Sequence, residues 1–291
     1  MIVDAQINFW KKDLLPPNAR IFIKNMFKIL NSEPIYDATP KEYIIEMEQA
    51  EIDKAIISTN DFTYGSTVSQ IKNNDYISKC ISEYPDLFLG QCGVDPRHKN
   101  AVEIFQKGLD DGLCGLKLYP GTGFRADDEI CFPLFKIAEE NNIPVSIHTG
   151  FTASPFLIQN SNPFYIEHVL EKFQSLKVNL CTQLGFPFTY EMVGILRKYE
   201  NLYTDYAPTN IDVPQMGIAQ NIIQIKVLTN RHQIMFGTYW PFTFGRVKEW
   251  TDINHKIKLP SVTRLFNAPN ITKEDREYMM GITACEFFKI K

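Results

Sequence analysis

Eight short apolar segments recur along the chain, and the stretches between them carry apolar residues at a helical period. The apolar segments are mostly β-branched or aromatic throughout, which is typical of strands covered on both faces. Eight strands alternating with helices over 291 residues predict an α/β fold, a closed (β/α)8 TIM barrel; a doubly wound open sheet is the alternative, and the count of eight argues against it. The expected strands are residues 2–8, 54–60, 88–94, 115–120, 144–150, 178–184, 202–207 and 234–240.

Capping residues mark several of the helices between these strands. Thr39 is a suitable N-cap, Pro40 suits the first helical position, and Glu42 completes the spacing of a capping box. Thr272 and Asp275 repeat that spacing before the last helix. Further helices are predicted at 75–84 and 131–142.

The loop after the first strand, residues 9–38, is long and rich in aromatic and basic residues. We expect it to form an insertion over the barrel mouth, with a short helix at 18–30. No internal repeat or linker divides the chain, so residues 1–291 are predicted to form one domain.

Composition excludes several classes of function. The formal charge is −4 and no basic run occurs, which argues against a nucleic-acid partner. No apolar stretch approaches the ~18 residues of a membrane span, and the N-terminus lacks the basic region of a signal peptide. The six cysteines show no CxxC spacing, so we interpret them as reduced thiols of a cytoplasmic protein.

In a (β/α)8 barrel the working groups lie at the carboxyl ends of the strands. Side chains two apart share a face of a strand, so polar residues at these ends can converge on one pocket. The candidates are Gln6 and Asn8 on strand one, Lys117 and Tyr119 on strand four, His148 and Thr149 on strand five, Gln183 on strand six, Asp205 on strand seven, and Thr238, Tyr239 and Trp240 on strand eight.

The sequences of these segments resemble the amidohydrolase-related family. The resemblance is to the branch that contains decarboxylases of aromatic and amino-muconate acids and lactone hydrolases. The matching segments follow the family's order along essentially the whole chain. They are IVDAQINFW, YIIEMEQAEIDKAIIS, YPDLFLGQCGVDP, GLKLYPGTG, PLFKIAEENNIPVSIHTG, YENLYTDYA, FGTYWPF and MGITACEFF.

The family holds a divalent metal with a His-x-His pair on strand one, a His on strand five and an Asp on strand eight, and a strand-six His orients substrate or water. At the matching positions of this chain, Gln6 and Asn8 replace the His-x-His pair, and His148 keeps the strand-five His. Gln183 replaces the strand-six His, and Tyr239 replaces the strand-eight Asp. Neutral amides and a protonated phenol are poor ligands for zinc. The resemblance therefore predicts a barrel without metal or other cofactor.

The replacements keep hydrogen-bonding capacity, which suits a pocket for a small polar molecule. His148 is the natural general acid or base. Lys117 either pairs with a carboxylate such as Asp205 or stabilises negative charge on a substrate, and Tyr239 either fills the vacated space or donates a hydrogen bond. The other candidates, namely Gln6, Asn8, Tyr119, Gln183, Thr238 and Trp240, are expected to contact substrate, while Cys181 is interpreted as packing.

These residues favour a metal-independent enzyme that hydrolyses, eliminates, cyclises or decarboxylates a small carbonyl compound, with Asp205 in a supporting or direct role. A non-catalytic protein that binds a ligand or partner remains open, as does a metal-dependent hydrolase with unusual ligands. The expected partner is a small-molecule substrate. Exposed aromatic residues in 9–38 and 238–250 leave a homodimer open.

Overall fold

The computed structural model describes residues 1–181, 187–206, 226, 229, 231–243 and 271–291. Eight parallel strands form one sheet in the order β1 to β8, which confirms the predicted TIM barrel. The strands are β1 (Val3–Ile7), β2 (Lys54–Ser58), β3 (Phe88–Gly93), β4 (Gly115–Leu118), β5 (Val145–His148), β6 (Val178–Cys181), β7 (Leu202–Tyr206) and β8 (Ile234–Phe236).

Main-chain hydrogen bonds beyond the end of β8 bring the two edges of the sheet together. The amide of Asn8 donates to the carbonyl oxygen of Trp240 (2.8 Å), and the amide of Tyr239 donates to that of Gln6 (2.9 Å). Tyr239 adopts a left-handed backbone (φ 59°), which ends the extended conformation. The predicted strand at 234–240 is therefore too long.

Helices follow the strands in the described connections, as the alternation predicts. Their bounds are α1 (Pro17–Ile29), α2 (Pro40–Ala50), α3 (Gln70–Glu83), α4 (Ala101–Asp110), α5 (Phe132–Glu140), α6 (Ile166–Lys172), α7 (Thr189–Lys198), α8 (Lys273–Glu277) and α9 (Thr283–Phe288), with a π-helical turn at Tyr278–Ile282 between the last two. No described helix is long and apolar enough to cross a membrane.

The two predicted capping boxes have different outcomes. Thr272 accepts from the amide of Asp275, whose carboxylate accepts from the amide of Thr272, so this box is confirmed. Thr39 is the N-cap of α2, but its hydroxyl donates to the carboxylate of Glu42 and makes no bond to the helix backbone. The box predicted there is wrong, although the helix start is right.

The insertion after β1 covers the barrel mouth, as predicted. An antiparallel bridge between Trp10 and Ala38 closes its base, and α1 occupies nearly the range expected for its helix. Phe22 of α1 is 2% exposed and packs against Phe62 and Tyr119, with ring centroids 5.4 and 6.0 Å away. Aromatic rings therefore separate the strand ends from solvent on this side.

The two faces of the strands differ in chemistry. Cys92 on β3 faces the helices, because its thiol contacts Asn74 of α3 and Ile104 of α4. Its neighbour Gln91 therefore faces the barrel interior, where it accepts from Ser58 of β2 (3.2 Å) and donates to Ser146 of β5 (2.7 Å). The interior is thus a polar, hydrogen-bonded layer below the strand ends.

Candidate active site

His148 is the last residue of β5 and is 1% exposed. Its imidazole stacks on the ring of Tyr119, with centroids 4.1 Å apart, and its Nε2 lies 3.1 Å from the carbonyl oxygen of Phe151. Because a carbonyl can only accept, Nε2 carries the proton in the neutral ring and Nδ1 is the basic nitrogen. Burial, and secondly the charge of Lys117, lowers the pKa of His148 to about 3, so the ring is neutral at pH 7.

Lys117 of β4 is 1% exposed, and its ammonium donates to the thiol sulfur of Cys181 at the end of β6. The carboxylate suggested by the sequence as its partner, Asp205, instead accepts from Nδ2 of Asn179 (3.1 Å). Strand register places Cys181 beside His148. The interpretation of Cys181 as a packing residue is therefore wrong, because its thiol contacts Lys117 at the end of the barrel where His148 lies.

Tyr119 and Tyr239 face each other across the site. Their phenol groups lie close enough to affect each other's pKa, and the hydroxyl of Tyr119 lies 2.8 Å from Oγ1 of Thr152. Burial raises the pKa of both phenols, and the nearby Cys181 and Asp205 raise that of Tyr239 further. Both phenols are therefore hydrogen-bond donors at neutral pH.

Gln6 of β1 and Asn8, the residue after this strand, lie at the seam between β1 and the end of β8. Asn8 donates through Nδ2 to the carbonyl of Trp240 (3.2 Å) and accepts from Asn60 (3.1 Å). Asn8 and Asn60 both line a small cleft, partly open to solvent, beneath α1. Asn60 follows β2 and was not identified from the sequence, because a single Asn after a strand carries no distinctive pattern. Gln6 is 1% exposed.

Thr238 and Trp240 belong to the framework of the barrel more than to this cluster. The hydroxyl of Thr238 donates to Asp4 (2.6 Å) and accepts from the amide of Trp240 (3.2 Å), so its proton is used. The indole of Trp240 donates to Glu46 of α2 (2.9 Å). The alternation that placed both side chains in the pocket fails because β8 ends at Phe236.

The hydroxyl of Thr149 donates to the main-chain oxygen of Cys181 (3.2 Å), so it too serves the barrel framework. Gln183 lies outside the described residues. The six cysteines, all in the described ranges, form no disulfide bonds with one another, as predicted.

The groups at the family's metal-ligand positions suit a divalent ion poorly. Gln6 and Asn8 supply neutral amide oxygens, and burial keeps Tyr239 protonated by raising its pKa. The positive charge of Lys117 acts on His148, the one imidazole of the set. Within the described ranges, no three His, Cys, Asp or Glu side chains are grouped so as to hold a metal ion.

Comparison with known proteins agrees with this architecture. Among solved structures, the chain resembles an uncharacterised TIM-barrel protein from Bordetella bronchiseptica (24% identity, TM-score 0.75, covering 99% of this chain and 98% of that one). It also resembles a manganese-bound 5-carboxyvanillate decarboxylase from Novosphingobium aromaticivorans (15%, 0.68, 100% and 96%). A third likeness is to a probable 2-pyrone-4,6-dicarboxylic acid hydrolase from Acinetobacter baumannii (14%, 0.64, 99% and 99%).

At these identities the solved structures establish the fold alone. None of the curated proteins matches the chain significantly. The model of a family described as Amidohydrolase, however, matches residues 3–290, nearly the whole chain. The protein therefore belongs to the amidohydrolase family.

Proposed function

We propose that this protein is a metal-independent enzyme that acts on a small polar carbonyl compound at the carboxyl ends of β4 to β8. One observation carries the proposal: a buried ammonium, a neutral imidazole and two protonated phenols meet in one site, on Lys117, His148, Tyr119 and Tyr239. Burying such groups together is costly for stability, and perturbed groups of this kind concentrate at functional sites.

Lys117 and Tyr239 supply positive charge and a hydrogen-bond donor to a substrate oxygen. Lys117 is held by its contact with Cys181 before substrate arrives, and Tyr239 is buried beside Tyr119. Donors fixed in a dry site stabilise developing oxyanions more strongly than donors in water do. Tyr239 also has a left-handed backbone, with φ of 59°, and strained conformations of this kind cluster at active sites.

His148 acts as a proton acceptor through Nδ1, because its pKa of about 3 leaves little imidazolium at neutral pH. The charge of Lys117 is the second cause of that low value. An anionic substrate group bound at Lys117 would offset this charge and bring the pKa of His148 closer to neutrality, where a general base works best. Asp205 would support the site through Asn179, which donates to it.

The reactions best served by this set are hydrolysis of a lactone or activated amide and related elimination, cyclisation or decarboxylation. These reactions develop charge on a carbonyl or carboxylate oxygen. The names of two structural neighbours, a 5-carboxyvanillate decarboxylase and a 2-pyrone-4,6-dicarboxylic acid hydrolase, support carboxylated cyclic compounds as the first substrates to test. Gln6, Asn8, Tyr119 and Gln183 would orient the substrate.

The test is a turnover screen of lactones and aromatic carboxylates, using protein dialysed against a chelator and analysed for metal content. With any substrate found, His148→Ala should lower kcat/KM by about 10²-fold or more. His168→Ala is the matched control, because the side chain of His168 is 80% exposed. Unchanged turnover in His148→Ala contradicts the role of His148. About one metal ion per chain, lost with His148→Ala, contradicts metal independence.

A panel without turnover, but with a compound that raises the melting temperature, would favour the non-catalytic alternative. The same compound should then lose its effect in Lys117→Met if it binds at this site. That outcome would support ligand binding at this site and contradict the proposed catalytic activity.

A further inference from the structure

Cys181 occupies a position that the proposed acid/base chemistry does not use. It is the last residue of β6 and is fully buried. Lys117 donates to its sulfur, and the register between β5 and β6 places it beside His148. Cys181 also lies close enough to Tyr239 to act electrostatically on its phenol. A thiol thus stands among a cation, a base and a hydrogen-bond donor.

An ammonium in contact with a thiol favours the thiolate, which is the nucleophilic form of cysteine. Cys92 of β3 provides the contrast within the same barrel. It is equally buried, but it faces helices α3 and α4, and burial raises its pKa well above the ordinary value. The two thiols differ in their partners, so the environment of Cys181 is specific to the site.

A second observation is a buried polar atom without a partner on the same face of β6. Asn179 lies two residues earlier on the same face of β6 and is 1% exposed. Its Nδ2 donates to Asp205, whereas its Oδ1 has no hydrogen-bond partner among the described residues. A buried carbonyl oxygen without a donor is costly, and a hydroxyl or amide of a bound molecule would satisfy it.

We propose that Cys181 is a covalent nucleophile for acyl compounds with a good leaving group, such as activated esters, thioesters and lactones. This inference rests on the proposed function and names the attacking atom of the same site. In the first step, the thiolate of Cys181 attacks the carbonyl carbon, a C–S bond forms, and the C–O or C–S bond to the leaving group breaks with its electron pair.

Lys117 and Tyr239 surround the carbonyl oxygen during this attack. In the second step, water attacks the thioester, and a C–O bond forms as the C–S bond breaks, which restores the thiolate. The proton of the water passes to Nδ1 of His148 and then to solvent. The sum is hydrolysis, with no oxidant, reductant or further reactant.

The test uses 4-nitrophenyl acetate as an activated acyl probe at pH 7. Rapid quenching in acid followed by intact-mass analysis should show one acetyl group per chain, and peptide mapping should place it on Cys181. Cys181→Ser should lose the adduct, whereas Cys285→Ser, at a partly exposed thiol on the last helix, should retain it. Lys117→Met should slow acetylation of Cys181 at least tenfold, and Lys117→Arg should restore part of the rate.

Acetylation of Cys181 no faster than that of Cys92 overturns the proposal, and this comparison is made within the wild-type chain, so it needs no folded variant. An adduct on Cys181 combined with unchanged turnover in His148→Ala supports the nucleophile and rejects the acid/base role. Turnover that needs His148 but persists in Cys181→Ser, without any adduct, retains the proposed function and rejects the nucleophile.

Discussion

The ring of Tyr119 stacks on the imidazole of His148 with an interplanar angle of 10°. Thr152 lies at hydrogen-bonding distance from the phenol, and the carbonyl of Phe151 accepts from Nε2 of the imidazole. One face and one edge of the imidazole are therefore fixed by two neighbouring strands and the loop after β5. The remaining nitrogen has a defined direction, which is what a positioned base requires.

The first prediction concerns the protonation of His148. Its imidazole should titrate near pH 3, because burial and then the charge of Lys117 disfavour the imidazolium. In Lys117→Met the midpoint should rise, since one of the two causes is removed. The measurement is the pH dependence of histidine ring proton shifts by NMR, with the signal assigned through His148→Asn. A midpoint near 6.5 in the wild-type protein would contradict the buried, cation-flanked environment.

The second prediction concerns Asp4, whose carboxylate lies buried in β1. Tyr43 and Thr238 both donate to its Oδ2, and the amides of Gln6 and Thr238 donate to Oδ1. These bonds lower the pKa of Asp4, but burial outweighs them and raises it from 3.8 to about 6. The folded state then binds the proton more tightly than the unfolded state, so this group makes stability fall as pH rises from about 4 to 6.

Asp4→Asn removes this dependence while it keeps an oxygen acceptor. Relative to wild type, its free energy of unfolding should improve by roughly 3 kcal/mol between pH 4 and pH 7, the value of a shift of about two pKa units. Urea unfolding of both proteins across this range measures the difference, in which other titrating groups cancel. A difference that stays constant with pH would show that Asp4 titrates normally.

Most of the barrel could be predicted from the sequence, because the period of apolar residues depends on local chain geometry. All eight strands begin within about one residue of the predicted position, and the helix of the insertion was placed correctly. The same rule failed after Phe236, where the left-handed residue Tyr239 interrupts the alternation. Side-chain directions past that point depend on main-chain contacts with β1, which local periodicity does not encode.

Part of the site could be predicted for the same reason and part could not. Strand ends identified His148, Lys117 and Tyr239, which the structure brings together. The partnership of Lys117 with Cys181 joins β4 to β6 across the barrel interior. It depends on strand register and side-chain length, and a single sequence shows neither. Asp205 was an equally reasonable partner for Lys117 on charge alone.

The third prediction concerns His98, after β3, whose Nε2 lies 3.1 Å from Oδ2 of Asp61. The hydrogen bond to Asp61 raises the pKa of His98, the nearby Asp95 raises it further, and burial and the charge of Arg97 lower it. Because the folded pKa lies above the unfolded one, the stabilisation is fully present below about pH 6.5 and is lost as pH rises through the folded value.

His98→Gln keeps a hydrogen-bond donor but removes the charge. It should reduce the free energy of unfolding by roughly 1 kcal/mol at pH 6 and by less at pH 9. Chemical denaturation at both pH values tests this, with His168→Gln at the exposed position as control. An equal loss at both pH values would assign the effect to packing and not to the charge of His98.

The fourth prediction concerns the aromatic cover of the site. Phe22 of α1 also packs against Phe156 and Phe242, with centroids 5.2 and 6.1 Å away. Phe22→Ala leaves a cavity among these rings and should cost about 3 kcal/mol of stability. Ile21→Ala, at the adjacent and 49% exposed position of the same helix, should change stability by less than about 0.5 kcal/mol.

Loss of the Phe22 ring should also ease entry to the groups beneath it. The measurement is the rate of alkylation by iodoacetamide, located by peptide mapping. Cys181 should therefore react faster in Phe22→Ala than in Ile21→Ala. The alkylation rate of Cys92, on the outer face of the barrel, should change little in either variant. If Cys181 and Cys92 gain reactivity together, the substitution has loosened the whole barrel. If neither gains, the route to the site does not pass beneath α1, and the insertion stabilises the barrel mouth without controlling entry.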